Sequence, residues 1–246
     1  NLPFLKNSTF TAFGMTKRNK ISIENDDLLS ELINSEVSEI CIVGKSDTYH
    51  VQNALNISLE ENIKNIEKTI FRIKENRKKV IFDAEHFFDG YKLNSDYSMN
   101  TLSSALKSGA DWLVLCDTNG GTLPFEVFNI IKEVIKKGIP AQKIGIHAHN
   151  DTGNGVANSL AAIDAGARQV QGTMNGLGER CGNADLVSLI PTIILKEPYA
   201  SKFETNIKKN QLKNITKISR LVDDILNRIP FEAAPYVGSS AFAHKA

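Results

Sequence analysis

The sharpest chemical feature of the chain is His147-Ala148-His149, followed by Asn150-Asp151. Two histidines at i and i+2 on a strand project to the same side, close enough to share one cation. Asn150 and Asp151, at the end of such a strand, could orient the rings as acceptors. Two imidazoles leave a coordination shell incomplete, so further ligands must come from elsewhere. Gly176-Leu177-Gly178-Glu179-Arg180-Cys181-Gly182-Asn183 is a Gly-rich loop leading into a helical stretch over 184–190. Such a loop offers backbone N–H groups and a helix N-terminus to an anion. Asn183 could cap that helix or give its carbonyl to the metal. Asp83-Ala84-Glu85-His86 closes another apolar run, with Asp83 and Glu85 on one face. Enclosed carboxylates are costly unless they are paired, bound to metal or used as acid–base groups. Asp117-Thr118-Asn119-Gly120-Gly121 ends a further run. It offers a carboxylate, a hydroxyl and an amide to a small polar substrate, although Asp and Asn are also ordinary turn residues.

These residues need elements to position them. Short apolar or β-branched runs recur at 9–15, 39–44, 80–87, 111–117, 143–150 and 169–175, each the start of a strand-then-helix unit. Between them Leu59, Ile63, Ile66, Ile70 and Ile73 step by 4, 3, 4 and 3, one stripe of a helix over 59–77. Residues 127–137 and 156–165 read the same way, and 212–229 predicts a last amphipathic helix that Pro230 ends. Gly109, Gly138 and Gly166 stand where helices should close. Alternating β and α units imply a parallel sheet, open or closed as a barrel. Lys143, Gly145, His147 and His149 share one face, and Ile144, Ile146 and Ala148 the other. Imidazoles on the inward face at a strand's C-terminal end favour a barrel mouth. Six units are countable, whereas a closed barrel needs eight. Lys74–Lys79 reads as a solvated helix end, Trp112 as core, and Cys41 and Cys116 as small hydrophobes inside strands.

Composition removes several classes. The 246 residues carry 29 basic and 28 acidic side chains, so no global positive field recommends a nucleic-acid partner. No stretch approaches 18 apolar residues, so no membrane span is expected. The first residues show no signal-peptide pattern, and Cys41, Cys116 and Cys181 are too few and too far apart for a disulfide framework. Both points imply a cytoplasmic setting.

Taken together, the His147–Asp151 and Gly176–Asn183 stretches resemble the signature pair of the α-isopropylmalate, homocitrate and citramalate synthases, in the DRE-TIM metallolyase superfamily. Ile81-Phe82-Asp83-Ala84-Glu85-His86-Phe87-Phe88-Asp89-Gly90-Tyr91-Lys92 and Leu115-Cys116-Asp117-Thr118-Asn119-Gly120-Gly121 are closer to the citramalate branch, as are Ala12-Phe13-Gly14-Met15-Thr16 and Val43-Gly44-Lys45-Ser46. The resemblance runs from about Thr9 to His244. It implies a divalent metal (Mg, Mn, Zn or Co) holding a 2-keto acid, with acetyl-CoA as co-substrate. His147, His149 and Asn183 would be at the metal and Glu85 would be the catalytic glutamate. Asp117, Thr118 and Asn119 would lie on the substrate, and Gly178, Glu179, Arg180 and Gly182 on the acetyl-CoA side. The expected acceptor is pyruvate, giving (R)-citramalate on a route to isoleucine. The alternatives are 2-ketoisovalerate and the isopropylmalate of leucine biosynthesis or, in another class, a non-catalytic barrel remnant. The family's first strand carries an Arg-Asp pair with no counterpart here. The expectation is therefore a fragment: strands 3–8 of a TIM (β/α)8 barrel over 1–200, then a helical linker or the start of a lid over 201–246. The regulatory domain would be absent, and the intact protein a homodimer.

Overall fold

The computed structural model describes residues 7–243; His244, where the resemblance ends, lies outside them. Six strands form one sheet: β1 (Thr11–Met15), β2 (Glu39–Lys45), β3 (Lys79–Glu85), β4 (Trp112–Asp117), β5 (Ile144–Ala148) and β6 (Gln169–Gln171). Every neighbouring pair is parallel, and the spatial order is the chain order. The helices are α1 (Asp27–Asn34), α2 (Thr48–Asn53), α3 (Leu59–Glu75), α4 (Phe87–Leu93), α5 (Ser95–Lys107), α6 (Pro124–Lys136), α7 (Gly155–Ala165), α8 (Leu186–Leu195), α9 (Tyr199–Lys202) and α10 (Ile215–Ile225). This is the α/β architecture of a partial barrel, with six parallel βα units as counted from the sequence.

Strand alternation sorts the side chains into two layers. Ile40, Ile42, Phe82, Leu113, Leu115, Ile144 and Ile146 face the helices and are fully buried in one core with Ile66, Ile70, Ile73, Ile131 and Val134. The opposite parity forms a second, smaller cluster of Cys41, Ile81, Val114 and Cys116, with Trp112 packed against it. That second layer is the concave face, and its curvature can be read from one bond. Gln171 on β6 donates through Nε2 to Asp83 Oδ1 on β3 at 2.8 Å. Three strand spacings in a flat sheet would separate these strands by about 14 Å, so the sheet curls until they meet. β1 and β6 are the two edges of the sheet. On β1 the inner-parity residues Phe13 and Met15 are 66% and 51% exposed.

Several boundaries differ from the sequence reading for local reasons. The third strand ends at Glu85 and not at 87, because His86 takes a left-handed φ of 57° and turns the chain into α4. The sixth strand is short: Asn175, also left-handed at φ 57°, sits in a 3-10 turn over Met174–Gly176. The 212–229 helix is α10 alone, preceded by a 3-10 turn; the chain leaves it at Asn227, φ 51°, before Pro230 is reached. α8 is capped by Asp185, which accepts from Val187 N–H at 2.9 Å, so Asn183 is free of that duty. Lys74–Lys79 is more than a solvated end. Lys74 pairs with Asp111 at 2.7 Å and Lys78 donates to the Ser35 and Val37 carbonyls. Trp112 is half-buried on the inner face.

Asp26 shows how polar groups close the outer layer. It is 2% exposed, caps α1 by accepting from Leu29 N–H, and receives both the backbone N–H and the Nε of Arg18. Burial pushes its carboxyl up, but the Arg18 and Leu29 N–H groups and the Arg18 charge outweigh burial and hold it below its usual value. A depressed carboxylate stabilises the fold above its unfolded pKa of about 4 and loses that contribution as pH falls through the folded value. Asp26→Ala should therefore cost about 1–2 kcal/mol at neutral pH. The difference from wild type in urea midpoint should shrink as pH drops below about 4. A midpoint unchanged at pH 7 would contradict this account.

Candidate metal centre and active site

The polar residues of inner parity gather at the C-terminal ends of β2, β3, β5 and β6. His147 is the last inner-facing residue of β5, in register with Gln171 on β6 and Cys116 on β4. His149 follows two residues on, bridged to Asn183. The two rings lie nearly parallel, 17° apart in plane with centroids 5.2 Å apart. His147 Nδ1 meets Gln171 Oε1 at 2.8 Å, and its Nε2 meets Asn183 Oδ1 at 3.0 Å. Asp83 Oδ2 stands 3.9 Å from the same Nδ1.

The orientation of both amides is fixed by their other ends. Gln171 gives its N–H to Asp83, so its oxygen must face His147. Asn183 gives its N–H to the Leu177 carbonyl at 2.9 Å, so its oxygen also faces His147. Both ring nitrogens of His147 thus point at acceptors. A neutral imidazole carries one N–H and can serve only one of these acceptors. The other contact is then lone pair against lone pair, and it is satisfied by a second proton or by a cation. Burial lowers the affinity of His147 for a proton, but the bonds to Asp83, Gln171 and Asn183 outweigh it and raise the pKa above the usual histidine value. His149 goes the other way. Burial first, then the neighbouring His147 and Arg180 charges, push it down, and its buried Nδ1 has no hydrogen-bond partner among the described residues. A neutral imidazole with an unclaimed nitrogen, beside a facing imidazole nitrogen and amide oxygen, is a donor set that fits a divalent cation.

Among the described residues one group of three ligating side chains converges: Asp83, Cys116 and His147, with ligand atoms within 4.8 Å of one another. Burial pushes the Cys116 thiol far above its usual range, and it donates to the Val114 carbonyl. A thiol held protonated is a poor metal ligand, so Asp83 acts here chiefly on Gln171 and His147. Cys41 and Cys116 do pack as small hydrophobes, on the concave side.

Glu85 is the next inner-parity residue above Asp83. Its Oε1 lies 2.6 Å from Lys45 Nζ and 3.9 Å from His86 Nε2. His86 stacks on His50 with centroids 3.7 Å apart, and its backbone N–H donates to Thr118 Oγ1 at 2.8 Å. Asn119 donates to Asp89 at 2.7 Å. Asp117 has the opposite parity. It is 1% exposed, faces the helices, and accepts from Thr122 and from Asn158 of α7. The structure thus gathers His147, His149 and Asn183 in one cluster, puts Glu85 on the same face, and turns Asp117 away from the mouth, against its expected contact with substrate. Asn150 and Asp151 do not orient the imidazoles: Asn150 accepts from Gly155 N–H, and Asp151 pairs with Arg180. Arg180 holds both Asp151 oxygens, at 2.7 and 2.9 Å, and the Thr118 carbonyl, which ties the Gly-rich loop to two strand ends. Gly182, at φ 91°, packs so tightly on the Gly176 carbonyl that a Cβ would collide with it, whereas Glu179 projects outward, 85% exposed. A cavity of about 570 Å³ flanks the loop, lined by Asn175, Leu177, Cys181, Arg220 and Arg228 among others. Gln171, Lys45 and His50 were missed from sequence. The parity of Gln169 and Gln171 on β6, and of Lys45 on β2, was the available signal.

Six curled parallel βα units, with imidazole, amide and carboxylate groups at the C-terminal strand ends, define a barrel-type α/β protein with a candidate metal centre at the mouth. The chain belongs to the HMGL-like family, whose model matches residues 16–222. It is 49% identical to an (R)-citramalate synthase of Aquifex aeolicus over 240 residues, covering 98% of this chain and 44% of the relative. It is 38% identical to a 2-isopropylmalate synthase of Campylobacter jejuni over 202 residues, covering 81% of this chain and 38% of the relative. The chain thus spans less than half the length of these relatives. In fold it is similar to an HMG-CoA lyase of Acinetobacter baumannii solved with coenzyme A and 3-methylmalate, at TM-score 0.75 and 18% identity, covering 100% of this chain and 77% of that one. The Pseudomonas aeruginosa hydroxymethylglutaryl-CoA lyase gives TM-score 0.72 at 14% identity, covering 98% and 75%. Among the described residues no helix is long and apolar enough to cross a membrane.

Removing the bond that orients His147, without removing a donor to the cation, tests the centre. In the complete natural polypeptide carrying this sequence, Gln171→Leu should weaken Mn2+ binding about tenfold or more. His149→Ala should weaken it further. Calorimetric titration reads both, and equal affinities for wild type and Gln171→Leu would sink the assignment.

Proposed function

We propose that this chain carries the catalytic face of a citramalate synthase, which condenses acetyl-CoA with pyruvate and water to give (R)-citramalate and CoA on a route to isoleucine. The observation that carries the choice is the gradient of similarity: 49% identity to an (R)-citramalate synthase over nearly the whole chain, against 38% to a 2-isopropylmalate synthase over a shorter span. The inner-face chemistry suits the reading. His147, His149 and Asn183 would hold a divalent cation. When bound, that ion supplies Lewis acidity toward the keto acid's oxygens. Glu85 removes a proton from the acetyl methyl group, and Lys45 Nζ, 2.6 Å from its Oε1, holds the carboxyl in place on the inner face. The resulting enolate adds to the keto carbon, the alkoxide so formed takes up a proton, and water then cleaves the thioester C–S bond to release the acid and CoA. Thr118, tied to the His86 backbone, and Asn119 stand at the neighbouring strand end for the keto acid. The Gly-rich loop, latched by Arg180 to Asp151, borders the flanking cavity and offers backbone N–H groups for the CoA side.

A CoA-release assay on the complete natural polypeptide, run in parallel with pyruvate and 2-ketoisovalerate, tests the proposal. Pyruvate should give the higher kcat/KM, by tenfold or more, since apolar bulk in a fitted pocket counts for about 1–3 kcal/mol per methylene. Glu85→Gln should lower kcat by about 100-fold or more. Preference for 2-ketoisovalerate would reassign the chain to the isopropylmalate reaction, and no CoA release with either acid would reject the condensation altogether.

A further inference from the structure

The base Glu85 is gripped by a residue that its own strand does not supply. Lys45 ends β2 directly opposite Glu85 in the β2–β3 register, and its Nζ sits 2.6 Å from Glu85 Oε1. Both backbones are fixed at that point. Ser46 N–H donates to the Glu85 carbonyl at 2.9 Å, and the Lys45 carbonyl accepts from Asn62 Nδ2 at 2.9 Å. Both side chains are largely enclosed, 20% and 24% exposed, so the pair is partly sheltered from solvent screening. His86, whose Nε2 lies 3.9 Å from the same Glu85 oxygen, is held toward its neutral form, by burial first and then by His50. The charge on Glu85 is therefore balanced by Lys45.

We propose that Lys45 is a positioning residue for Glu85 and its counter-ion during proton abstraction. The inference rests on the reading of Glu85 as the base of the condensation. When Glu85 takes the proton, a C–H bond of the acetyl methyl breaks and an O–H bond forms on the carboxyl. The C–H electron pair passes into the thioester enolate. The Lys45–Glu85 pair goes from zero to plus one as the substrate gains one negative charge. The lysine that held the carboxylate is left as a lone ammonium beside the new anion, with no ion or side chain needing to move. Fixed charge of this kind, set before the reaction, costs no reorganisation when charge develops.

The test uses the complete natural polypeptide with Lys45→Met, close to isosteric but uncharged, and Lys45→Arg, which restores the cation. Kinetics are run with ordinary and methyl-deuterated acetyl-CoA. The Met variant should lose about 100-fold in kcat. Its KM for the keto acid should stay within about threefold, and its deuterium isotope effect on kcat should rise as proton abstraction becomes rate-limiting. The Arg variant should recover most of the rate. If the Met variant does not fold, as read by its melting temperature, Lys45→Gln takes its place with the same expectations. An unchanged kcat and isotope effect in the Met or Gln variant would overturn the role of Lys45 while wild-type turnover keeps Glu85 as base. So would a rise in keto-acid KM with no change in isotope effect. If the wild type condenses nothing, the reading of Glu85 fails first and takes the inference with it.

Discussion

The hydrogen bond from Gln171 to Asp83 is the constraint on which the rest of the concave face depends. It joins the third strand to the sixth across the hollow of the sheet. It also consumes the donor end of the Gln171 amide, which turns the oxygen of that amide toward His147. The same contact gives a buried carboxylate a partner, since a charge left unpaired at 4% exposure is expensive. The curvature of the sheet and the orientation of the Gln171 amide are thus settled by one pair of side chains. The ligating geometry at His147 follows from how the sheet bends.

Parity decides which strand-end residues reach the chemistry. Asp83, Glu85, Lys45, His147 and Gln171 all have inner parity by the pairing registers. Asp117 ends its strand one residue beyond inner-facing Cys116 and is spent on Thr122 and Asn158, stitching β4 to the start of α6 and to α7. Its burial raises its pKa against the pull of those donors. A conspicuous Asp at a strand end is here a support between sheet and helices, and a single shift in register would have exchanged the two roles.

Much of this was legible in the residue order. The six βα units, the inward pair of histidines and the shared face of Asp83 and Glu85 follow from periods of 2 and 3.6. The sequence leaves Asn183 two open duties, cap or metal donor, and the cap falls to Asp185 because α8 starts at Leu186, two residues beyond the expected 184. Other features were illegible because they depend on contacts between distant strands. Gln171 and Asp83 are 88 positions apart, and nothing local marks either as the other's partner. The left-handed turn at His86 was equally hidden. Imidazole tolerates that conformation only where the surroundings enforce it, and here the stack on His50 and the bond to Thr118 do so.

The two halves of the mouth solve opposite electrostatic problems. At β2 and β3 a carboxylate meets an ammonium, and the pair is neutral before any substrate arrives. At β5 and β6 two amide oxygens converge on one imidazole, an excess of acceptors that leaves the cluster short of positive charge. A second proton on His147, or a divalent cation held by His147, His149 and Asn183, would make up the deficit. The bonds that raise the pKa of His147 thus make protons compete with the cation, and its affinity falls as pH is lowered. The carboxylate half has no such deficit. Lys45 already pairs with Glu85 there, so a base stands beside a site that takes up charge of its own.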